Sequence, residues 1–225
     1  MIGARKVMAL IPARGGSKGL PRKNVLPVNG RPLLAFSVDA ARGSRFVDRV
    51  VVSSDDDEII AAALASGAEA PFHRPVPLAS DTATSIDVAL HALDQLPDCD
   101  MLVLLQPTSP ARTAADIDAA FARLAAADAP ACVSVSLVEQ SPYWMYRLDD
   151  GGALHALLEP AAHTRRQDLP PVYALNGAIY IADAAWLRRT RSFVTPETVA
   201  YVMPASRSLD IDTAADLEAF RKTAT

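Results

Sequence analysis

Cysteine is nearly absent: Cys99 and Cys132 are the only two in 225 residues. Two thiols cannot build the bridged framework of a small secreted domain. No Cys-x-x-Cys and no closely spaced histidine pair offers a structural zinc site. The expectation is two buried thiols in a reducing cytoplasm. Long apolar runs are missing as well. No stretch approaches the ~18 residues of a membrane span. The short apolar run near the start is broken by Pro12 and lacks the length and cleavage site of a signal peptide. No membrane partner is expected. The net charge of −4 excludes a global basic field, so nucleic acid is not expected as a partner and any cationic cluster is local. Aromatics make up only 6% of the chain, which makes any aromatic cluster conspicuous. Half of the residues are hydrophobic, enough to bury a core without staples. The length fits a single domain, 1–225.

Apolar and amphipathic runs alternate from the start. Strands are predicted at Lys6–Ile11, Val47–Ser53, Glu69–Phe72, Asp100–Leu105 and Ala131–Leu137, each short, apolar or β-branched. Helical spacing falls at Arg31–Arg42, Asp55–Ser66 with Gly67 as its stop, Ala83–Leu96 before Pro97, and Thr113–Ala127. Thr113 is a plausible N-cap, with Asp116 three residues on. This β-α-β-α order with short connections implies an α/β fold: a mostly parallel sheet flanked by helices on both faces. Such sheets bind ligands at the carboxyl ends of their strands. Polar loops leave those ends at Arg14–Asn24, Ser53–Asp57 and Gln106–Arg112.

After Leu137 the texture changes. Ser141–Arg147 (SPYWMYR) clusters aromatics, Asp149–Gly152 (DDGG) reads as a turn within a hairpin, and Arg165–Asn176 is proline-punctuated. Residues 138–175 are read as a small element projecting from the main sheet, its aromatics suggesting a dimer contact. The chain then returns through strands at Ala178–Ala182 and Val199–Met203, a helix near Asp183–Arg189, and a last helix at Thr213–Lys222, capped by Asp212 or Thr213.

Two constellations carry chemistry. The first is LIPARGGSKGLPRKN at 10–24. A strand runs into a loop in which Arg14, Lys18, Arg22 and Lys23 surround Gly15, Gly16 and Gly19. Glycines let backbone N–H groups approach an anion, and the cations neutralise it. The spacing is neither a P-loop nor a Gly-x-Gly-x-x-Gly fingerprint. Taken alone, the loop suits either a phosphate or mere solubility. The second is Asp210-Ile-Asp212 at a strand-to-helix junction. Residues two apart in an extended segment share a face, and two carboxylates there suit Mg²⁺. The competing reading is a helix cap beside a solvated carboxylate. Together the two constellations suggest a nucleoside triphosphate with Mg²⁺. Asp55, Asp56 and Asp57 look like another metal cluster, but finishing a strand and capping a helix explains them better. His73, His155 and His163 have no evident acidic partner, and His91 reads as packing or surface.

With these residues in hand, the chain resembles the acylneuraminate cytidylyltransferase family, the CMP-sialic acid synthetases and their CMP-legionaminic acid relatives. The likeness runs in order along nearly the whole length: IPARGGSKGLPRKN at 11–24, VVSSDD at 51–56, RPVPLASDTATS at 74–85, LLQPTSPAR at 104–112, RRQDLPPVYALNGAIYI at 165–181 and SLDIDT at 208–213. It implies a nucleotidyltransferase-type, Rossmann-like sheet. It further implies that the anomeric hydroxyl of a nonulosonic acid attacks the α-phosphate of CTP, the co-substrate. Pyrophosphate leaves and a CMP-sugar forms, with Mg²⁺ (or Mn²⁺), in a cytoplasmic homodimer.

By position, the resemblance gives Arg14, Ser17, Lys23 and Asn24 to the triphosphate, with Lys18 and Arg22 ranked lower in the same loop. Arg74 and Ser85 would hold the cytidine. Asp210 and Asp212 would hold the metal, making Arg14, Lys23, Asp210 and Asp212 the catalytic set. Gln106, Arg166, Gln167 and Asn176 would meet the sugar, Arg166 and Gln167 from the partner subunit in some members. Asn176 has a competing role as a turn residue, and Tyr180 reads as core. Some sialate-specific members carry an arginine two residues before NGAIYI; here the residue is Ala174, which opens legionaminate, a deaminated sialate or a related nonulosonate as acceptors. The NGAIYI signature argues against pseudaminate. Rival readings are a cytidylyltransferase for 3-deoxy-octulosonate or a phosphonate, or a non-catalytic nucleotide-binding protein.

Overall fold

Val7–Pro12 (β1) is almost wholly buried, and its alternation sets the layers. Val7, Ala9 and Ile11 join one hydrophobic core, and Met8 and Leu10 join another on the opposite face. Only a strand inside a sheet covered on both sides is apolar in both directions. The computed structural model describes residues 3–17, 19–159 and 165–224, with the main chain alone at Arg166.

After β1, Pro27–Val28 (β2) and Arg31–Pro32 (β3) form a small hairpin. Asn29 and Gly30 turn it at φ 50° and 81°, the left-handed pair that a tight two-residue hairpin needs. There follow Leu33–Arg42 (α1), Arg49–Ser53 (β4), Asp57–Ala65 (α2), Ser85–Gln95 (α3), Met101–Leu104 (β5), Ala114–Ala126 (α4) and Ala131–Leu137 (β6). Tyr146–Leu148 (β7) and Leu154–Ala156 (β8) make a separate hairpin, and Tyr173–Asp183 (β9), Ala184–Thr190 (α5), Thr198–Val202 (β10) and Ala214–Thr223 (α6) complete the chain. The helix starts are specified locally. Thr84, Thr113 and Thr213 each close a capping box with the aspartate three residues on, and Asp56 and Asp183 cap α2 and α5.

The main sheet has six strands in the order β10-β6-β9-β5-β1-β4. All run parallel except β9, which pairs antiparallel with both β5 and β6. Residues of α1, α2 and α4 build one core and residues of α3 and α5 the other. A third cluster seats α6 on α1, with Phe36 and Phe220 edge-to-face at 5.0 Å. The mostly parallel α/β sheet is therefore as expected. Two details differ. The strand expected at Glu69–Phe72 shrinks to one bridge from Val51 to Glu69. And β9 begins at Tyr173, five residues before the strand expected at Ala178–Ala182. Both thiols are buried and free.

Because β9 runs against its neighbours, its starting end lies beside the carboxyl ends of β5 and β6. Asn176 and Gly177 are thereby carried to the edge where the polar loops emerge. No helix among the described residues is long and apolar enough to cross a membrane.

Candidate active site

The loop after β1 is fixed by its close neighbours. Ala13 N donates to Ser53 O (3.0 Å), and Gly15 N donates to Asp55 Oδ1 (3.0 Å). A Cβ on Gly15 would lie 2.8 Å from Asp56 Oδ2, and one on Gly19 would lie 2.8 Å from the main-chain oxygen of Asp212. Close approach to main chain therefore requires glycine at Gly19, whereas at Gly15 a side chain would have to displace Asp56. Arg22 pairs with Asp56 and Glu58, so it fastens the loop to the start of α2. The acidic run at 55–57 serves this tether and the cap on Ile59 N, as its helix-capping reading anticipated. Lys18 lies outside the described residues.

Lys23 is buried in a single 3-10 turn, Lys23–Val25. Its ammonium donates to Ile211 O (2.6 Å) and meets Asp212 Oδ1 at 3.0 Å. Asn24 Nδ2 donates to Arg14 O (3.0 Å), which fixes the main chain under Arg14. The Arg14 guanidinium reaches across to Asp81 (2.9 Å). Arg74 is 3% exposed and donates from Nε to Ser53 Oγ (3.0 Å) and from Nη2 to Ser53 O. Burial pushes its pKa down to about 10, with Arg14 adding to the effect and Asp55 opposing it.

These side chains converge. Arg14, Ser17, Lys23, Asn24, Arg74, Ser85 and Gln106 line one cleft of about 270 Å³, with Ser80–Asp81 and Pro107–Thr108 on its walls. The acidic motif borders it: Ile211 N donates to Thr108 O (2.7 Å), and Lys23 joins the cleft to Asp212. Ile211 is fully buried while Asp210 and Asp212 on either side are exposed, the alternation of an extended segment. Thr213, rather than Asp212, caps α6.

The residues expected at the sugar are less gathered. Gln106 is in the cleft, and its main-chain oxygen accepts from Arg112 Nη1 (3.2 Å) and Ser37 Oγ (3.4 Å). A Cβ on Gly177, at φ +73°, would lie 2.9 Å from Gln106 Oε1, so Gly177 seats that side chain. Asn176 is turned inward and its amide is engaged within the chain by Ser134, Ala178, Met203 and Ser208. Gln167 is exposed on the short turn Arg166–Asp168 and does not line the cleft. Tyr180 packs against Phe193 at 5.4 Å, as its core reading implied. Contrary to expectation, two histidines have acidic partners: His155 Nε2 lies 3.0 Å from Asp149 and His73 Nε2 lies 3.7 Å from Asp57.

Several structural supports of the site escaped the pattern. Arg112, 2% exposed, ties the Gln106 loop to β9 by donating to Ala178 O (2.8 Å). Burial, opposed by Asp116, pushes its pKa down to about 9. Asp116 is 0% exposed and accepts from Tyr201 Oη (2.9 Å) and from Arg207 Nε and Nη2 (2.9 and 2.8 Å). Burial pushes the Asp116 carboxyl up, but the hydrogen bonds from Arg207, Thr113 and Tyr201 outweigh it and hold the pKa below the usual carboxylate value. The only sequence signal was Asp116 as the third residue of a capping box, which says nothing of Arg207.

The family model described as cytidylyltransferase matches residues 8–180. An N-acylneuraminate cytidylyltransferase of Streptococcus agalactiae is 38% identical over 94% of this chain and 51% of its own length. A pseudaminic acid cytidylyltransferase of Campylobacter jejuni is 34% identical over 95% and 94%. A CMP-N,N'-diacetyllegionaminic acid synthase of Legionella pneumophila is 36% identical over 94% and 93%. The chain thus spans about half the length of the streptococcal relatives and nearly all of the other two. Among solved structures, CMP:2-keto-3-deoxy-manno-octonic acid synthetase complexed with CTP superposes with a TM-score of 0.73 at 19% identity, covering 97% of this chain and 98% of that one. That likeness concerns the fold.

Proposed function

Because the chain belongs to the cytidylyltransferase family, we propose that it transfers CMP from CTP to the anomeric hydroxyl of a nonulosonic acid. The observation that carries this reading is the single cleft in which the expected phosphate residues (Arg14, Ser17, Lys23, Asn24), cytidine residues (Arg74, Ser85) and sugar-facing Gln106 meet beside Asp212. The names of the full-length relatives support a nonulosonic acid as acceptor.

The reaction is an in-line displacement. The sugar oxygen bonds to the α-phosphorus as the bond to the β-phosphate oxygen breaks, and pyrophosphate departs with that electron pair. Little covalent work falls to the protein; position and charge compensation do most of it. Arg14 offers a planar fork to the triphosphate, and Lys23 a point charge. Gly15 and Gly19 keep the loop tight against Asp56 and Asp212. Gln106, seated by Gly177, faces the acceptor, and the Arg166–Gln167 segment supplies further acceptor contacts on this reading. The projecting element around β7 and β8, which exposes Trp144, Tyr146, Leu148 and Leu154, forms the homodimer contact. The cytoplasm is the compartment that supplies CTP to such an enzyme.

The donor set at 210–212 fits Mg²⁺ or Mn²⁺. Two exposed carboxylates flank a buried residue at the edge of the cleft, and Mg²⁺ uses one or two protein carboxylates together with water and substrate phosphates. When bound there, the ion supplies Lewis-acid charge compensation at the reacting phosphate. Lys23 orients Asp212 toward the cleft, and Thr108 holds Ile211 in register.

The test is pyrophosphate release with CTP and Mg²⁺ over N-acetylneuraminate, legionaminate, deaminated sialate, pseudaminate and 3-deoxy-octulosonate. Release with a nonulosonate is the expected outcome. Release with the octulosonate alone, or none with any of the panel, would overturn the proposed acceptor class.

A further inference from the structure

An asparagine amide offers two acceptor lone pairs and two N–H donors. Asn176 uses all of them within the chain. Its Oδ1 accepts from Ser134 Oγ (2.6 Å) and from Ala178 N (3.2 Å). Its Nδ2 donates to Ser208 Oγ (2.9 Å) and Met203 Sδ (3.3 Å). The first pair fixes Asn176 in the irregularity of the β6–β9 ladder, where the register shifts between Val133 and Val135. The second pair reaches to the segment after β10. Ser208 is two residues before Asp210.

A second anchor grips the same segment from the other side. Asp116 receives both Nε and Nη2 of Arg207 and the hydroxyl of Tyr201. A bidentate pair on a wholly buried carboxylate fixes orientation as well as distance. Arg207 precedes Ser208. Two independent elements, the start of β9 and the start of α4, therefore hold adjacent residues just upstream of the acidic pair. Neither anchor lines the cleft.

We propose that Asn176 and the Asp116–Arg207 clamp are positioning residues for the acidic pair, holding the backbone at Arg207–Ser208 so that Asp210 and Asp212 meet the triphosphate edge of the cleft. This rests on the proposed role of Asp210 and Asp212 at a phosphate-bound metal ion. It assigns Asn176 to the metal side of the site and not to the sugar. The antiparallel course of β9 makes this reach available, because it delivers Asn176 to the edge where β10 ends.

The test uses the full chain with Ser208→Ala, Arg207→Met, Arg207→Lys and Asn176→Ala, beside Asp212→Asn. CTP binding is titrated by calorimetry in Mg²⁺ and in EDTA, without acceptor. Melting curves and acceptor KM are measured on the same samples. Ser208→Ala and Arg207→Met are expected to cut the Mg²⁺-dependent gain in CTP affinity about tenfold, the size of one lost charge-assisted or well-placed anchor. Binding in EDTA and acceptor KM stay unchanged, and Arg207→Lys recovers part of the gain. Asn176→Ala shows the same signature if it folds; if it does not, the Ser208 and Arg207 variants decide. A full Mg²⁺-dependent gain in folded Ser208→Ala and Arg207→Met would overturn the proposal. So would a rise in acceptor KM alone in Asn176→Ala. If Asp212→Asn itself keeps the whole gain, the metal-ligand reading falls and the proposal falls with it, an outcome distinct from loss in Asp212→Asn with none in the anchors.

Discussion

Replacing Arg14 with alanine separates binding from stability. In this structure the Arg14 guanidinium pairs with Asp81 at 2.9 Å, the two side chains being 33% and 49% exposed. A pair that accessible contributes at most about 1 kcal/mol, which for a domain of this size shifts the melting temperature by no more than about 2–4 °C. The contact proposed with the triphosphate is larger. A hydrogen bond involving a charged group contributes about 1.5–3 kcal/mol. Against it stands the loss of the Asp81 pair when Arg14 turns to the phosphate. Taking the exposed pair at about 0.5 kcal/mol, the balance is about 1–2.5 kcal/mol, or a KM for CTP raised about 5- to 70-fold. Steady-state pyrophosphate release at varied CTP and saturating acceptor reads this directly. Arg14→Lys, which keeps the charge and loses the planar fork, should fall between the two. CTP kinetics unchanged in Arg14→Ala, or a loss of stability that accounts for the whole defect, would remove Arg14 from the phosphate site.

Other substitutions probe the remaining parts of the cleft. Asp212→Asn should reduce turnover by at least about 100-fold while leaving the melting temperature nearly unchanged, because the side chain is 72% exposed and its ion pair with Lys23 is worth little to folding; turnover like the wild type would end the metal-ligand assignment. Arg74→Met should weaken CTP binding without lowering the melting temperature appreciably. The burial that depresses the Arg74 pKa is a cost to the folded state at neutral pH, and Ser53 O keeps Ala13 N as a partner after the substitution; a folded Arg74→Met protein that binds CTP normally would remove Arg74 from the nucleotide site. Gly19→Ala places a Cβ 2.8 Å from the Asp212 oxygen, so the loop or the acidic segment must move, and kcat should drop more than stability does; a normal kcat would show that the two segments are not coupled in the reaction.

Much of the architecture was legible because local signals and burial agree. The β1 sequence is apolar at every step and is buried accordingly, Thr113 with Asp116 spells a cap, and the β-α alternation leaves few topologies open. The reversed course of β9 was not legible. A central strand buried on both faces reads the same in either direction, and its direction depends on the long excursion before it. The hairpin turn at Asn29-Gly30 has a clear dipeptide signal, but its flanking strands are only two residues each and carry no readable period. The Asp116–Arg207 clamp joins residues far apart in the chain, and no spacing encodes such a pair.

The two sides of the site differ in how strongly sequence pattern constrains them, and the reason is packing. On the nucleotide side, Gly19 sits where a Cβ would meet the Asp212 main chain and Lys23 is enclosed, so packing restricts the residue type at both positions. On the acceptor side, Tyr173, Ala174 and Leu175 are exposed on the first residues of β9, and Gln167 is exposed nearby in sequence. A β-strand backbone tolerates almost any side chain at an exposed position. Ala174 pairs with Ser136 in the ladder while its side chain stays exposed, so the position is open to substitution. On the proposed reading, part of the nucleotide contacts falls where packing restricts the residue, and the acceptor contacts along 165–175 fall where folding leaves the side chain open. A change of acceptor should then require substitutions along 165–175 and none in the phosphate loop.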